Sequence, residues 1–172
     1  PLTARVYNNM GLIYGDYGKH EKKPECFEEA LKYIRKAKRI WKKAYGEISD
    51  ATAIAYNNIG KNYGNLGEHE KALRYEKKAL KIIRMVYGEY HTRVAQFCNN
   101  IGKTYRELKA PQKALEYQLR ALEIMKNVYG EESSAAVEYY NNVANTYEAI
   151  GNTEKARMYF EKAQRCSIES NY

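Results

Sequence analysis

The chain has 172 residues, 44% of them hydrophobic and 29% charged, with a formal net charge of +8. These proportions suit a soluble protein of one domain or one short array. No stretch approaches 18 consecutive apolar residues, so a membrane span is excluded, and the three cysteines (Cys26, Cys98, Cys166) are odd in number and far apart, which excludes a disulfide framework or a zinc site. Reduced thiols point to the cytoplasm. The chain opens at Pro1 with no apolar leader, so no signal peptide is expected, and the missing initiator Met reads as the mark of a piece excised from a longer chain.

In chain order, the first unit covers about residues 1–46. Its Tyr14 lies 49 positions before Tyr63, whereas the later units keep a step of 42. The seven extra residues fall near 22–28, within KKPECFE. Pro24 suits a first helical turn, so a second helix lengthened at its start is expected, with an inserted loop as the alternative. The second unit, 47–88, shows the pattern most plainly. Tyr56, Ile59, Gly60, Tyr63 and Leu66 share one face of a helix from about Asp50 to Leu66, and Gly67 supplies the stop. A second helix runs from about Glu70 to Tyr87, with Ala72, Tyr75, Ala79, Ile82, Ile83 and Val86 inward, and Gly88 ends it. The third unit, 89–130, and the fourth, 131–172, repeat this register: Ala30, Ala72, Ala114 and Ala156 are spaced by 42, as are Tyr33, Tyr75, Tyr117 and Tyr159. No period-2 strand pattern survives. The fold class expected is all-α: four helix pairs in an α-solenoid, each pair burying its apolar face against its neighbours. Gly60 and Gly102, costly inside helices, would let the paired helices approach closely.

The segment YNNIGKNYGNLGEHEKALRYEKKAL resembles the tetratricopeptide repeat, with Tyr56, Ile59, Gly60, Tyr63, Ala72 and Ala79 in the matching places. The 42-residue period, the doubled asparagines and linkers such as YGEYHTRVA are similar to the kinesin light chain and nephrocystin-like subclass. The resemblance implies a right-handed solenoid of helix pairs, and it covers nearly the whole chain. Three departures stand out. The family's second-helix aromatic becomes Ile34, Glu76 and Gln118, and is aromatic only at Phe160; a tyrosine stands one residue earlier in every unit. Lys109 replaces a turn glycine, and Ala144 replaces a helix glycine.

Each first helix carries an asparagine pair: Asn8-Asn9, Asn57-Asn58, Asn99-Asn100 and Asn141-Asn142. At about 0.5–0.7 kcal/mol each, the eight forgo about 4–6 kcal/mol of helix propensity, so a function is sought for them. At 100° per residue, Asn58 shares a stripe with Ile54, Asn57, Lys61 and Asn65, away from Tyr56 and Tyr63. The matching stripes are Arg5, Asn8, Asn9, Leu12 and Asp16; Gln96, Asn99, Asn100, Lys103 and Glu107; Glu138, Asn141, Asn142, Asn145 and Ala149. The resemblance places such stripes along a concave groove and implies that the second asparagines, Asn9, Asn58, Asn100 and Asn142, clasp a ligand backbone. A carboxamide, both donor and acceptor, suits the bare N–H and C=O groups of an extended peptide. The candidate groove set is therefore Arg5, Asn9, Asn58, Lys61, Asn65, Asn100, Lys103, Asn142 and Asn145. Two alternatives stay open: bonds from asparagine to the neighbouring repeat, and a plain solvated face.

Charge is uneven. Residues 1–46 carry +6, residues 47–88 +2, residues 89–130 +3 and residues 131–172 −3. The densest basic run is KYIRKAKRIWKK, Lys32 to Lys43, read as an outer solvated face. An RNA- or polyanion-binding platform through Lys36, Lys38, Arg39, Lys42 and Lys43 is the second reading, and a structural spacer in a larger protein the third. Opposite-signed ends would also allow self-association. His20, His69 and His91 are not spaced as ligands, and no nucleophile, phosphate-loop or metal motif occurs. No catalytic role and no cofactor are expected. The partner expected is a protein or peptide, with an acidic one favoured by the stripe's Arg5, Lys61 and Lys103.

Overall fold

The computed structural model describes residues 1–169, so the last three positions of the fourth expected unit lie outside the described residues. Among the described residues there are eight α-helices and no strand: α1 (Leu2–Glu21), α2 (Pro24–Tyr45), α3 (Asp50–Asn65), α4 (His69–Tyr87), α5 (Thr92–Glu107), α6 (Pro111–Tyr129), α7 (Val137–Ile150) and α8 (Thr153–Glu169), with a short 3-10 turn at Ser134–Ala136. Among the described residues the fold is all-α, as expected. The chain divides into two units, Pro1–Val86 and Tyr87–Tyr172.

Local chemistry sets the helix ends. Pro24 and Pro111 open α2 and α6, where a missing N–H costs nothing. The Ser49 hydroxyl caps α3 by accepting from the Thr52 N–H at 3.3 Å, the His91 Nδ1 accepts from the Arg93 N–H at 3.1 Å, and the Asn152 Oδ1 accepts from the Lys155 N–H at 3.0 Å. Gly67, Lys109 and Gly151 occupy one register position and adopt φ of 76°, 54° and 84°. Lys109 thus takes a left-handed conformation that suits glycine better.

In the first unit, Ala4, Leu31, Ile34, Trp41, Ala55 and Ile59 belong to one buried cluster, with Tyr7 and Tyr75 packed against it. The seven extra residues are shared by two helices: α1 continues five residues past the position matching Asn65, and α2 begins three before the position matching His69. The connection between them is one residue shorter than that between α3 and α4, so the insertion is helix in both directions rather than loop. Val86, read from its spacing as inward, is exposed; the inward stripe of α4 ends at Ile83.

The tyrosine set one residue early in each second helix has a packing reason. Tyr33 stacks between Tyr7 and Tyr14, with centroids at 6.1 and 5.5 Å. Tyr75 stacks between Tyr56 and Tyr63 at 6.1 and 5.5 Å. In the second unit Tyr159 packs between Tyr140 and Tyr147 at 6.2 and 5.5 Å, and Tyr117 meets Tyr105 at 5.6 Å. Offset stacks of this kind add to the gain from burial. The early tyrosine leaves the next position facing a helix glycine. A Cβ at Gly60 would stand 2.7 Å from Glu76 Cγ, and one at Gly102 would stand 2.6 Å from Gln118 Cγ. Close approach, rather than any turn, therefore requires these two glycines.

Candidate functional site

The asparagines form bonds between successive first helices. In the first unit, the Asn58 side-chain amide on α3 donates to Asn8 Oδ1 on α1 at 3.0 Å. In the second, Asn142 on α7 donates to Asn99 Oδ1 on α5 at 3.0 Å. The second asparagine of one repeat thus bonds to the first asparagine of the repeat before it, twice, in the same register. All four are buried, between 4% and 8% exposed. Asn62, one turn on from Asn58 and also buried, donates to the Asn58 carbonyl at 2.9 Å. In the second unit the rung is extended: Asn99 donates to Glu138 Oε1 at 3.2 Å, and Lys103 donates to the same oxygen at 2.8 Å. The Lys103 bond, aided by those from Asn142 and Asn99, holds the Glu138 carboxyl below the usual carboxylate range against the opposing effect of burial.

Of the second asparagines expected to face an open groove, Asn9 is exposed, Asn100 is half-buried, and Asn58 and Asn142 are buried. Helical-wheel angles separate Asn58 from the tyrosine face correctly, but they treat the helix as having one buried side. In the first unit α3 packs on both α1 and α2, and in the second α7 packs on both α5 and α6. A stripe clear of the apolar face is therefore not clear of neighbours. The rest of the candidate set lies further out. Arg5, Asn9, Lys61 and Asn65 are exposed in the first unit. In the second unit Asn145 is exposed, and Lys103 is half-buried on Glu138. The first unit thus carries an exposed polar strip beside a buried amide rung; of the second unit's candidate residues, Asn145 alone is exposed.

Spacing alone does not reveal Asn62. A further asparagine four residues after Asn58, on a helix already rich in alanine, is the available signal of burial on that side.

Within the basic run, Lys36, Arg39, Lys42 and Lys43 are exposed, Lys42 pairing with Glu47 at 2.6 Å. Lys38 is half-buried, with its ammonium 5.0 Å from the centre of the Tyr56 ring. Among the described residues, no group of His, Cys, Asp or Glu could hold a metal ion, and no helix is long and apolar enough to cross a membrane.

No curated protein matches the chain in sequence. Among solved structures, it is similar to BtubC (BKLC) from P. vanneervenii, with a TM-score of 0.85 and 25% identity, covering 98% of this chain and 64% of that one. It is also similar to the apo form of RapI, at a TM-score of 0.80 and 24% identity, over 98% of this chain and 57% of that one. A third is a putative kinesin light chain from Podosopora anserina with nearly identical TPR-like repeats, at 0.78 and 16%, over 97% of this chain and 74% of that one. The chain therefore spans less than two thirds of the first two. Models of the tetratricopeptide repeat match residues 4–40, 25–85, 66–126 and 93–168. With helix pairs, register and sequence in agreement, the chain belongs to the tetratricopeptide repeat family.

Proposed function

We propose that this chain holds a segment of a protein partner against the exposed polar strip on α1 and α3 of its first unit. Tetratricopeptide repeats are generally interaction scaffolds rather than enzymes, and the chain has the fold of that family. The strip offers Arg5, Asn9, Lys61 and Asn65. Asn58 acts from behind it through its bond to Asn8, fixing the spacing of α1 and α3. The observation that carries the reading is the interleaving of amide and cationic side chains on an exposed face that rigid neighbours hold in place. Amides can pair with backbone groups of any extended segment, and the cations favour acidic side chains within it.

The test is capture from native lysate on immobilised protein, followed by mass spectrometry, with Asn9→Ala, Lys61→Ala and Asn65→Ala combined in one variant. These three residues are exposed, so the variant should melt at the temperature of the wild type. A partner captured by the wild type and lost by the variant supports the strip. Undiminished capture of the same partner by a folded variant overturns it.

A further inference from the structure

The first unit has a second feature, which shares no residue with the strip. A cavity of about 380 Å³ opens between α3 and α4, lined by Tyr63, Lys71, Arg74, Tyr75 and Lys78. Arg35 of α2 borders it, donating to the Tyr63 hydroxyl at 2.5 Å. Lys38 and Lys78 approach one ring, 5.0 and 5.6 Å from the centre of Tyr56. The carboxylate best placed to neutralise them, Glu47, already accepts from Lys42 at 2.6 Å and from the Tyr56 hydroxyl at 2.8 Å. Lys71 is paired with Glu68. Arg35 instead meets the Tyr63 hydroxyl, and Glu47, which also draws on Lys38, is shared among Lys38, Lys42 and the Tyr56 hydroxyl. Burial pulls the Lys38 ammonium down from its usual range; Glu47 opposes this, and Lys42, Lys78 and Arg35 add repulsion.

The second unit shows that the fold does not require this. Its register equivalents of Arg35, Lys38 and Arg74 are Leu119, Leu122 and Met158. Its equivalent of Lys78, Lys162, is neutralised by Glu131 at 2.8 Å. The same architecture is therefore built once with clustered cations and once without them.

We infer that this cavity in the first unit binds a phosphate group carried by a protein segment. A phosphoserine or phosphothreonine is close to a dianion at neutral pH and has three acceptor oxygens. Arginine can meet it with two parallel N–H bonds and lysine as a point charge. Arg74 and Lys78, one turn apart on α4, share a helix face and line the cavity together with Tyr75. RNA fits less well. Tyr75 is covered on both faces by Tyr56 and Tyr63, and Tyr56 and Tyr63 are 6% and 9% exposed. Stacked on one another, Tyr56, Tyr63 and Tyr75 leave little ring face at the cavity for a base. The site recognises charge at one point rather than along a strand.

The experiment follows amide chemical shifts and fluorescence anisotropy with four probes: inorganic phosphate, a Gly-Ser-phosphoserine-Gly peptide, its unphosphorylated counterpart, and a single-stranded uridine 12-mer. The phosphopeptide should shift Tyr63, Lys71, Arg74, Tyr75 and Lys78. Inorganic phosphate should shift the same amides at higher concentration, and the unphosphorylated peptide should not. Arg74→Gln with Lys78→Gln, both exposed, should weaken the phosphopeptide at least about tenfold and leave the rest of the spectrum unchanged. Rising salt should weaken it too, since the charges are near the surface. The variant altered at Asn9, Lys61 and Asn65 should bind it as wild type, so failure here is separable from failure of the strip. Equal shifts from the unphosphorylated peptide, an affinity unchanged in the Arg74/Lys78 variant, response to inorganic phosphate alone, or tighter binding of the 12-mer through the same residues would each overturn the assignment.

Discussion

The two units share helix order, tyrosine stacks and asparagine rungs, yet the whole net charge of the chain resides in one of them. Residues 1–86 contain eighteen Lys and Arg against ten Asp and Glu, giving +8, while residues 87–172 contain eleven of each. The difference lies on the second helices, where Arg35 and Lys38 of α2 face the roles that Leu119 and Leu122 fill on α6. Leu122 is 4% exposed, whereas Lys38 is half-buried with its charge over a ring. Lysine covers apolar surface with its stem while keeping its head near water, so both residues fit one packing position at different electrostatic cost. The repeat thus fixes geometry and leaves charge free to vary.

The largest expected effect tests what the units share. Asn58→Ala in the first unit, or Asn142→Ala in the second, leaves a buried acceptor on Asn8 or Asn99 without its donor. That loss is about 1–3 kcal/mol, offset by about 0.5–0.7 kcal/mol of regained helix propensity. A net fall in denaturant-measured stability is expected for each. Asn9→Ala, at an exposed position, should instead be neutral or slightly stabilising. A loss confined to one unit would break the equivalence, and a gain at either buried position would remove the bracing role of the rungs.

The next effect concerns what the units do not share. Lys38→Leu writes the second unit's residue into the first, removing a partly buried ammonium whose burial and repulsion by Lys42, Lys78 and Arg35 together outweigh the attraction of Glu47. Stability should rise by about 0.5–1 kcal/mol, and the gain should shrink as salt is added, because part of it is relief of repulsion. Thermal melts at low and high ionic strength measure this. A loss of stability would mean that the lysine stem packs better than leucine there.

Smallest is the acid response. Lys162 and Lys126 hold Glu131 below its ordinary value of 4.5, and Lys42 and Tyr56 do the same for Glu47. A carboxylate depressed in the folded state adds stability above its unfolded value, and loses it as pH falls through the folded one. Both units should therefore weaken from about pH 4.5 downward. Lys162→Gln should flatten that acid limb by a few tenths of a kcal/mol, as for an exposed pair. A pH series of urea melts at pH 3 to 7 would show it, and an unchanged limb would assign the acid response to other groups.

Most of the fold was legible because the 42-residue register superimposes tyrosines, alanines and turn positions whose roles are local. Helix ends differ from their expected places by a single residue at Asn65 and His69, within the fraying that hydrogen-bond criteria allow. The site was less legible. The pattern around Asn58 shows which face avoids Tyr56 and Tyr63, but the rung depends on Asn8, fifty residues earlier, and on the distance between two helices. The cation cluster was half visible. The run around Lys38 stands out, but Arg74 and Lys78 belong to another helix and look like ordinary solvated residues until the pair is folded. Gly60 was readable as a close approach, whereas the buried side chain opposite it, Glu76, was not.

The asparagine rung also bears on how such a chain can grow. A carboxamide carries donor and acceptor in one side chain, so Asn58 on Asn8 and Asn142 on Asn99 join like to like. A repeat that carries the pair needs no complementary residue on its neighbour beyond a copy of itself. Had these joints been ion pairs, each duplication would have had to preserve opposite charges on two faces, and any shuffled order would have set like charges together. A neutral, self-complementary joint lets a duplicated helix pair enter at any position with its contact already made, and leaves the charges of the second helices free to diverge into separate binding surfaces.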